Sequence, residues 1–254
     1  MKETDFKFSA SVLAWPLYFV LLLWFVYTIE IIFPGDFSHF GILPRTVSGL
    51  KGIVLSPFLH GDIGHLFNNS IPLFLLVAAL RFFYRNQSVQ VLVWGVLLSG
   101  FGTWLIGRES YHIGASGLIY VLVSFIFFKG IQSKYFRLVA LSLAIVVVYG
   151  GMIWYIFPSA EQNISWEGHL SGFIAGYLLA FYTKTDEYQK PIKYDWERPD
   201  FDPSQDDFMK HFDENGNFSP IPKVVEEEII DEDLRISNTS SNNNSVVYFF
   251  NETK

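Results

Sequence analysis

Long apolar stretches separated by short polar breaks dominate the first three quarters of the chain. The six stretches cover residues 13–33, 64–84, 89–107, 111–128, 138–157 and 166–183. A helix of about 20 apolar residues, within a range of about 17–25, is long enough to cross a bilayer. The pattern therefore predicts an all-α membrane protein, built as a bundle of six transmembrane helices. The first stretch is too long for the apolar core of a signal peptide, about 7–15 residues, so we expect it to stay in the protein.

Composition supports a membrane domain and separates it from a charged tail. Half of the 254 residues are hydrophobic and the mean hydropathy is +0.28, values that a soluble domain of this length rarely reaches. Residues 1–184 carry 8 acidic and 11 basic side chains, whereas residues 185–254 carry 17 acidic and 7 basic. We therefore expect a transmembrane domain over residues 1–184 and an acidic, mostly disordered tail over residues 185–254. The absence of cysteine excludes disulfides and thiol catalysis.

The positions of lysine and arginine predict how the bundle is oriented. If the N-terminus lies in the cytoplasm, only Arg45, Lys51 and Arg108 fall on the outer side. The basic residues that then lie inside are Lys2, Lys7, Arg81, Arg85, Lys129, Lys134, Arg137, Lys184, Lys190 and Lys193. This asymmetry follows the positive-inside rule, so both termini are expected in the cytoplasm.

Four polar side chains are predicted near the outer end of the bundle. With this topology the second, fourth and sixth helices all enter from the outer face. Ser116 then lies about five residues inside the fourth helix, about 8 Å deep, and His169 about three residues inside the sixth, about 5 Å deep. His65 and Asn69 occupy the first turns of the second helix, on one face because they are four residues apart.

Each of these residues also has a purely structural explanation. Ser116 lies in Gly114-Ala115-Ser116-Gly117, and serine and glycine are common where membrane helices pack closely. His169 could hydrogen-bond a neighbouring helix or a headgroup, and His65 with Asn69 could form an interhelical pair. An ionisable residue inside a membrane nevertheless indicates function because its burial is costly. The shared depth of the four side chains favours a catalytic site.

The chemistry of a serine nucleophile explains this combination of residues. A serine hydroxyl becomes reactive when a base within about 2.6–3.2 Å takes its proton, and imidazole is the usual base at neutral pH. Two helices that bring serine and histidine so close must approach closely themselves. Glycines allow helix backbones to come close, and they are present on both helices: Gly117 on the fourth, and Gly172 and Gly176 on the sixth. The sequence therefore predicts such an approach.

Acyl transfer also needs hydrogen-bond donors for the oxyanion of the tetrahedral intermediate. His65, Asn69 and the backbone N–H of Ser116 are the candidates. Asn69 is preferred to Asn68 for its four-residue spacing from His65, because Asn68 is turned about 100° away from Asn69 on a helix. His112 is a rival base, but a histidine on the same helix as Ser116 would be poorly directed toward it.

Three sequence motifs resemble the rhomboid family of intramembrane serine proteases. They are Gly114-Ala115-Ser116-Gly117, then His169 with Gly172 and Gly176, and the HxxxxHxxxN pattern from His60 to Asn69. Their order on six apolar stretches extends the resemblance over most of residues 1–184. The resemblance implies a catalytic dyad without an aspartate, in which Ser116 is the nucleophile and His169 the general base.

The resemblance also implies roles for residues around the dyad. His65 and Asn69, with the Ser116 amide, would form the oxyanion hole. Tyr120 would pack against the catalytic imidazole, although it could equally be an ordinary helix aromatic, and His60 would brace the first loop. Three glycines would support the site: Gly114, Gly117 and Gly172.

Two departures from the family pattern concern the surroundings of the dyad. A Trp-Arg pair expected in the first outer loop would fall near Lys51-Gly52 and is absent, which leaves the anchoring of that loop open. Gly168 stands before His169, where alanine is common in the family.

The sequence therefore predicts an intramembrane serine endopeptidase that cleaves membrane proteins in or near their transmembrane segments. Its expected partners are these substrates and the lipid bilayer, with no nucleic acid, metal or cofactor, and its expected location is a bacterial cytoplasmic membrane. The alternative is a non-enzymatic membrane protein, either an inactive rhomboid-like protein that binds client helices or a small transporter. A transporter would more commonly show paired intramembrane carboxylates, whereas the apolar stretches contain only Glu30 and Glu167, both near helix ends.

Overall fold

The computed structural model describes residues 8–33, 35–158, 164–184, 194–213 and 215–219. Within these ranges the chain is helical, and the only strand-like features are two isolated bridges, Ile42–His112 and Phe212–Phe218. The seven α-helices are α1 (Ala10–Ile32), α2 (Gly52–Leu55), α3 (Ile63–Phe83), α4 (Ser88–Ile106), α5 (Ser116–Ser133), α6 (Phe136–Tyr149) and α7 (Trp166–Tyr182). The predicted all-α class is confirmed.

Five helical segments in the described part of the chain are long and apolar enough to cross a membrane. They are Ala10–Ile32, Ile63–Phe83, Ser88–Ile106, Ser116–Ser133 and Phe136–Ile156. Helix α7 is shorter, with 17 residues. The predicted count of six spans therefore depends on α7 and stays a prediction.

The fourth apolar stretch begins its helix later than the sequence suggested. Residues before Ser116 are not helical, because His112 pairs with Ile42 as a β-bridge and Gly114 has a φ of +110°, which a right-handed helix does not admit. The prediction that Ser116 lies about five residues inside this helix is therefore wrong. Ser116 is the first residue of α5, and the helix continues to Ser133.

The fifth stretch changes its helical type near its outer end. Helix α6 ends at Tyr149 and is followed by a 3₁₀ segment, Gly150–Ile156. Two successive glycines, Gly150 and Gly151, stand at the change, where glycine costs an α-helix about 1 kcal/mol relative to alanine. The 3₁₀ segment carries backbone carbonyls that reach the functional site described below.

A close backbone contact joins α5 to α7. A methyl group on Gly172 would lie 2.2 Å from the carbonyl oxygen of Gly117, and one on Gly176 would lie 2.3 Å from that of Val121. Such distances are far inside van der Waals contact, so only glycine allows the backbones to come this near. The predicted glycine-dependent approach of these two helices is present.

A buried lysine ties the other ends of the same two helices together. Lys129 of α5 is 1% exposed, and its ammonium group donates to the carbonyl oxygens of Ala180 and Thr183 at the end of α7. A cation at a helix C-terminus is favourable because it compensates the negative end of the helix dipole and the last free carbonyls.

The loop between α1 and α3 packs against α4. It contains α2 and three 3₁₀ turns, Phe37–Phe40, Ser48–Lys51 and Ser56–Phe58. Ile53 of α2 lies so near α4 that a methyl group on Gly100 would be 2.9 Å from its side chain.

Two hydrogen-bonded side chains anchor this loop in the absence of the expected Trp-Arg pair. Arg45 donates from Nη1 to the carbonyl oxygen of Gly107 at 2.7 Å. Trp104 of α4 donates from Nε1 to the carbonyl oxygen of Thr46 at 2.8 Å. An arginine from the loop and a tryptophan from α4 thus fix the loop to the end of α4.

Residues after the membrane domain form a second compact unit. By the contacts that its residues make with one another, the chain divides into two units, Met1–Pro191 and Ile192–Lys254. In the second unit, the described residues 194–213 and 215–219 form three short 3₁₀ turns and the Phe212–Phe218 bridge. The expected disorder of the tail is not confirmed for these residues. The predicted boundary at residue 185, like residues 220–254, lies outside the described residues.

We expect Gly176→Ala to destabilise the bundle. Its methyl group would lie 2.3 Å from the carbonyl oxygen of Val121 and 2.8 Å from Ser124 Cβ, so α5 and α7 must separate. Overpacking of this kind costs about 1–3 kcal/mol, which should lower the midpoint of thermal unfolding in detergent. Gly151→Ala is the matched control because no heavy atom lies within 4 Å of the added methyl. An unchanged midpoint for Gly176→Ala would contradict the packing described.

We expect Trp104→Phe to loosen the first loop. The substitution keeps an aromatic ring but removes the hydrogen bond to Thr46, worth about 1 kcal/mol. Trypsin cleavage after the exposed Lys51 should become about fivefold faster, because cleavage follows the population of the open loop. Trp154→Phe, at a ring that is 74% exposed, serves as control. Equal cleavage rates for wild type and Trp104→Phe would show that this bond does not hold the loop.

Candidate active site

Ser116 and His169 form a direct hydrogen-bonded pair. Ser116 Oγ lies 3.0 Å from His169 Nε2, and His169 Nδ1 lies 3.0 Å from the carbonyl oxygen of Tyr155. A carbonyl oxygen only accepts, so Nδ1 carries the ring proton and Nε2 presents its lone pair to the serine hydroxyl. This tautomer is the one that a general base beside a serine nucleophile requires.

Local helix signals explain why the two residues meet. Ser116 is the first residue of α5, and His169 is in the first turn of α7, which begins at Trp166. Ser165 caps α7, because its Oγ accepts from the backbone N–H of Gly168 at 3.2 Å. The helices start at the same end of the bundle, and the Gly117–Gly172 contact brings their first turns together.

Tyr120 stacks on the imidazole of His169. The ring centroids are 4.3 Å apart and the ring planes differ by 17°. The Tyr120 hydroxyl donates to the carbonyl oxygen of Met152 at 2.7 Å. Met152 and Tyr155 both belong to the 3₁₀ segment after α6. This segment therefore fixes the His169 imidazole through the Tyr155 carbonyl and the stacked Tyr120 ring through the Met152 carbonyl.

His65 and Asn69 lie beside the backbone that leads into Ser116. A methyl group on Gly114 would be 2.6 Å from His65 Cε1 and 3.6 Å from Asn69 Nδ2. Position 114 therefore requires glycine for two reasons. Its φ is positive, and the His65 ring occupies the space that a side chain would need. Because Ser116 starts α5, its amide is also among the helix N–H groups that lack an intrahelical acceptor. His65, Asn69 and Ser116 line one cavity, and side-chain or backbone N–H groups at such a place are able to donate to an oxyanion.

His60 orients the Asn69 side chain. Asn69 Nδ2 lies 3.1 Å from His60 Nε2 and donates one of its two hydrogens there, which leaves the other for the cavity. The backbone N–H of His60 points to Glu30 Oε2 at 3.4 Å, a link from the loop to α1. Burial lowers the pKa of His60 to about 4, with a smaller contribution from His65, so the ring is neutral at pH 7.

A cavity of about 830 Å³ opens onto this group of side chains. The predicted site residues that line it are Ser116, His169, His65, Asn69 and Tyr120. Its size falls in the range of about 300–1,000 Å³ typical of ligand sites.

His112 does not face Ser116. Its Nδ1 lies 2.6 Å from Ser165 Oγ and its Nε2 lies 3.1 Å from the carbonyl oxygen of Arg108. Burial lowers the pKa of His112, although the hydrogen bond to Arg108 opposes that shift. The prediction that His112 lies on the same helix as Ser116 is wrong, because α5 begins only at Ser116, and His112 is directed away from Ser116 because its ring bonds Ser165 and Arg108.

Sequence reasoning missed two contributors to this site. The Tyr155 carbonyl carries no sequence signal, because every residue has a backbone oxygen and only the fold selects this one. Ser165 did carry a signal, since a serine directly before an apolar helical pattern is a common N-cap. The described residues contain no group of three or more His, Asp or Glu side chains placed to hold a metal ion.

Comparison with known proteins identifies the relatives of this chain. A family model described as Rhomboid domain matches residues 47–185. An uncharacterized protein of Mycobacterium tuberculosis is 34% identical over 179 residues, which is 66% of this chain and 74% of the relative. An uncharacterized protein of Mycobacterium leprae is 31% identical over 179 residues, with 66% and 70% covered. From the family model, from these relatives and from the apolar helices, we conclude that the chain is an integral membrane protein and belongs to the rhomboid family.

Proposed function

We propose that this protein is an intramembrane serine endopeptidase with a Ser116–His169 dyad. The observation that carries the proposal is the hydrogen-bonded series from Ser116 Oγ to His169 Nε2 and from His169 Nδ1 to the Tyr155 carbonyl. A serine that serves only helix packing does not need a histidine nitrogen 3.0 Å from its hydroxyl. Nor does it need that nitrogen to be the unprotonated one, which is able to accept the hydroxyl proton.

In the proposed acylation step Ser116 Oγ attacks the carbonyl carbon of the scissile peptide bond while His169 Nε2 takes its proton. The resulting oxyanion accepts hydrogen bonds from His65, Asn69 and the Ser116 amide. His169 then gives the proton to the leaving amine as the C–N bond breaks, which leaves an acyl-enzyme on Ser116. Water, deprotonated by His169, then attacks the ester carbonyl, and His169 returns the proton to Ser116 Oγ as the acyl C–O bond breaks and the acid is released. The reaction needs no metal or cofactor.

The proposed substrates are proteins with a transmembrane segment, cut in or near that segment. The cavity at the dyad lies at the end of the bundle where α3, α5 and α7 begin. With both termini in the cytoplasm and α7 as the sixth span, this end faces outward. The relatives in mycobacteria support a bacterial cytoplasmic membrane as the location.

The alternative is an inactive family member that binds client helices. That protein would need the cavity but would have no use for a proton-accepting nitrogen at the serine. The geometry of Ser116 and His169 therefore favours the protease, and the reactivity of Ser116 decides between the two.

We expect Ser116→Ala and His169→Ala to abolish cleavage of a model transmembrane substrate, because each removes one half of the dyad. Wild type should react with a fluorophosphonate probe at Ser116, and Ser116→Ala should not. Ser133→Ala, at the far end of the same helix, and His39→Ala, at an exposed residue of the first loop, are matched controls that should cleave normally. Thermal unfolding checks that every variant is folded. Full cleavage by both dyad variants, or a wild type that never labels, would exclude the protease and favour the client-binding alternative.

We expect Asn69→Ala to lower kcat by about 10²–10³, the usual effect of losing one oxyanion donor. Asn68→Ala is the comparison variant: Asn68 is exposed and also lines the cavity, but it is Asn69 that His60 orients, so Asn68→Ala should retain near wild-type kcat. Substrate binding should change little in either variant, since the oxyanion exists only during reaction. Equal kcat values for the two asparagine variants would remove Asn69 from the oxyanion hole.

A further inference from the structure

A polar cluster outside the dyad connects the loop before Ser116 to the helix turn that carries His169. The backbone N–H of Arg108 lies 3.2 Å from Glu167 Oε1, and Arg108 Nε lies 3.6 Å from the same oxygen. The Arg108 guanidinium also donates to the carbonyl oxygen of Ile164. Glu167 is 1% exposed, so its carboxylate is removed from solvent and depends on Arg108 for compensation.

A second connection runs parallel to the first. His112 Nε2 donates to the Arg108 carbonyl at 3.1 Å, so His112 Nδ1 accepts from the Ser165 hydroxyl at 2.6 Å. Ser165 Oγ in turn accepts from the N–H of Gly168, the residue before His169. Every donor in this series has an acceptor, and the direction of each hydrogen bond is fixed.

These two connections bear on the dyad because of where their ends lie. The loop that contains Arg108 and His112 leads directly into Ser116 at the start of α5. Ser165 and Glu167 flank the start of α7, and His169 follows in the same turn. The dyad itself is joined by a single hydrogen bond, which by itself cannot hold two helix ends in register.

We propose that Arg108 and Glu167 are positioning residues that hold Ser116 Oγ at reacting distance from His169 Nε2. The Arg108–Glu167 pair, supported by the His112–Ser165 hydrogen bond, fixes the loop before α5 to the first turn of α7. Glu167 does not touch the reacting atoms and acts through the backbone of α7. This inference depends on the proposed function, because it assigns a role in the reaction of that site.

Glu167→Gln is the most informative single variant. Glutamine keeps the volume and an oxygen for the Arg108 N–H but removes the charge that attracts the guanidinium. We expect kcat to fall between about tenfold and a hundredfold with KM changed less than twofold, since a misplacement of about 1 Å costs a reaction about that much. Glu167→Asp retains the charge and should recover part of kcat. Glu109→Gln, at the exposed residue beside Arg108, is the matched control and should behave as wild type.

Arg108→Met tests the other half of the pair. Because Arg108 and Glu167 act together, the double variant with Glu167→Gln should be no slower than the worse single variant. If the two losses in kcat multiply instead, the residues act separately and the proposed pair is overturned.

Fluorophosphonate labelling separates positioning from folding. A misplaced but folded dyad should label Ser116 more slowly and still reach the wild-type endpoint of one probe per protein. A lower endpoint in Glu167→Gln would mean that part of the protein is misfolded, which overturns a positioning role. If wild type labels and Glu167→Gln labels at the same rate, this inference alone fails. If wild type does not label at all, the proposed function fails first.

Discussion

The contact between α5 and α7 is the constraint on which the site depends. At Gly172 the two backbones are so close that a single methyl group would overlap the Gly117 carbonyl. A methyl group on Gly176 would likewise overlap the Val121 carbonyl. In a bilayer there is little hydrophobic gain from joining two apolar helices, so close packing supplies much of the stability of such a contact. That packing also brings together the first turns of α5 and α7, where Ser116 Oγ and His169 Nε2 lie 3.0 Å apart, so the stability of the bundle and the geometry of the site both depend on it.

The functional groups lie in first turns of helices, where backbone donors are free. Ser116 begins α5, His169 lies in the first turn of α7, and His65 lies in the first turn of α3. An amide without an intrahelical acceptor is expensive in an apolar interior, yet it is what a developing oxyanion needs. The start of α5 at Ser116 therefore supplies a donor that a serine deeper in the helix would lack.

Much of this arrangement could be predicted from the sequence, but only where side-chain pattern determines it. Apolar stretches of membrane length indicated the helices, and the spacing of His65 and Asn69 indicated a shared face. The start of α5 could not be predicted, because the apolar run from residue 111 continues through the non-helical, positive-φ backbone at Gly114, and hydropathy does not report φ. The partner of His169 Nδ1 could not be predicted either, since it is the backbone oxygen of Tyr155 and depends on how the segment after α6 turns.

In the proposed reaction, that backbone oxygen would allow the dyad to act without a buried aspartate beside its histidine. A carboxylate would fix the imidazole and stabilise its positive charge, but it would also require a charge inside the bundle. A carbonyl fixes the tautomer at no such cost, although it stabilises the imidazolium less. Because this carbonyl belongs to the 3₁₀ segment that also accepts from the stacked Tyr120, the orientation of His169 depends on that segment remaining in place. A displacement of the segment would release the ring edge and the stacked ring together, and Nδ1–H would lose the acceptor that fixes the imidazole beside Ser116.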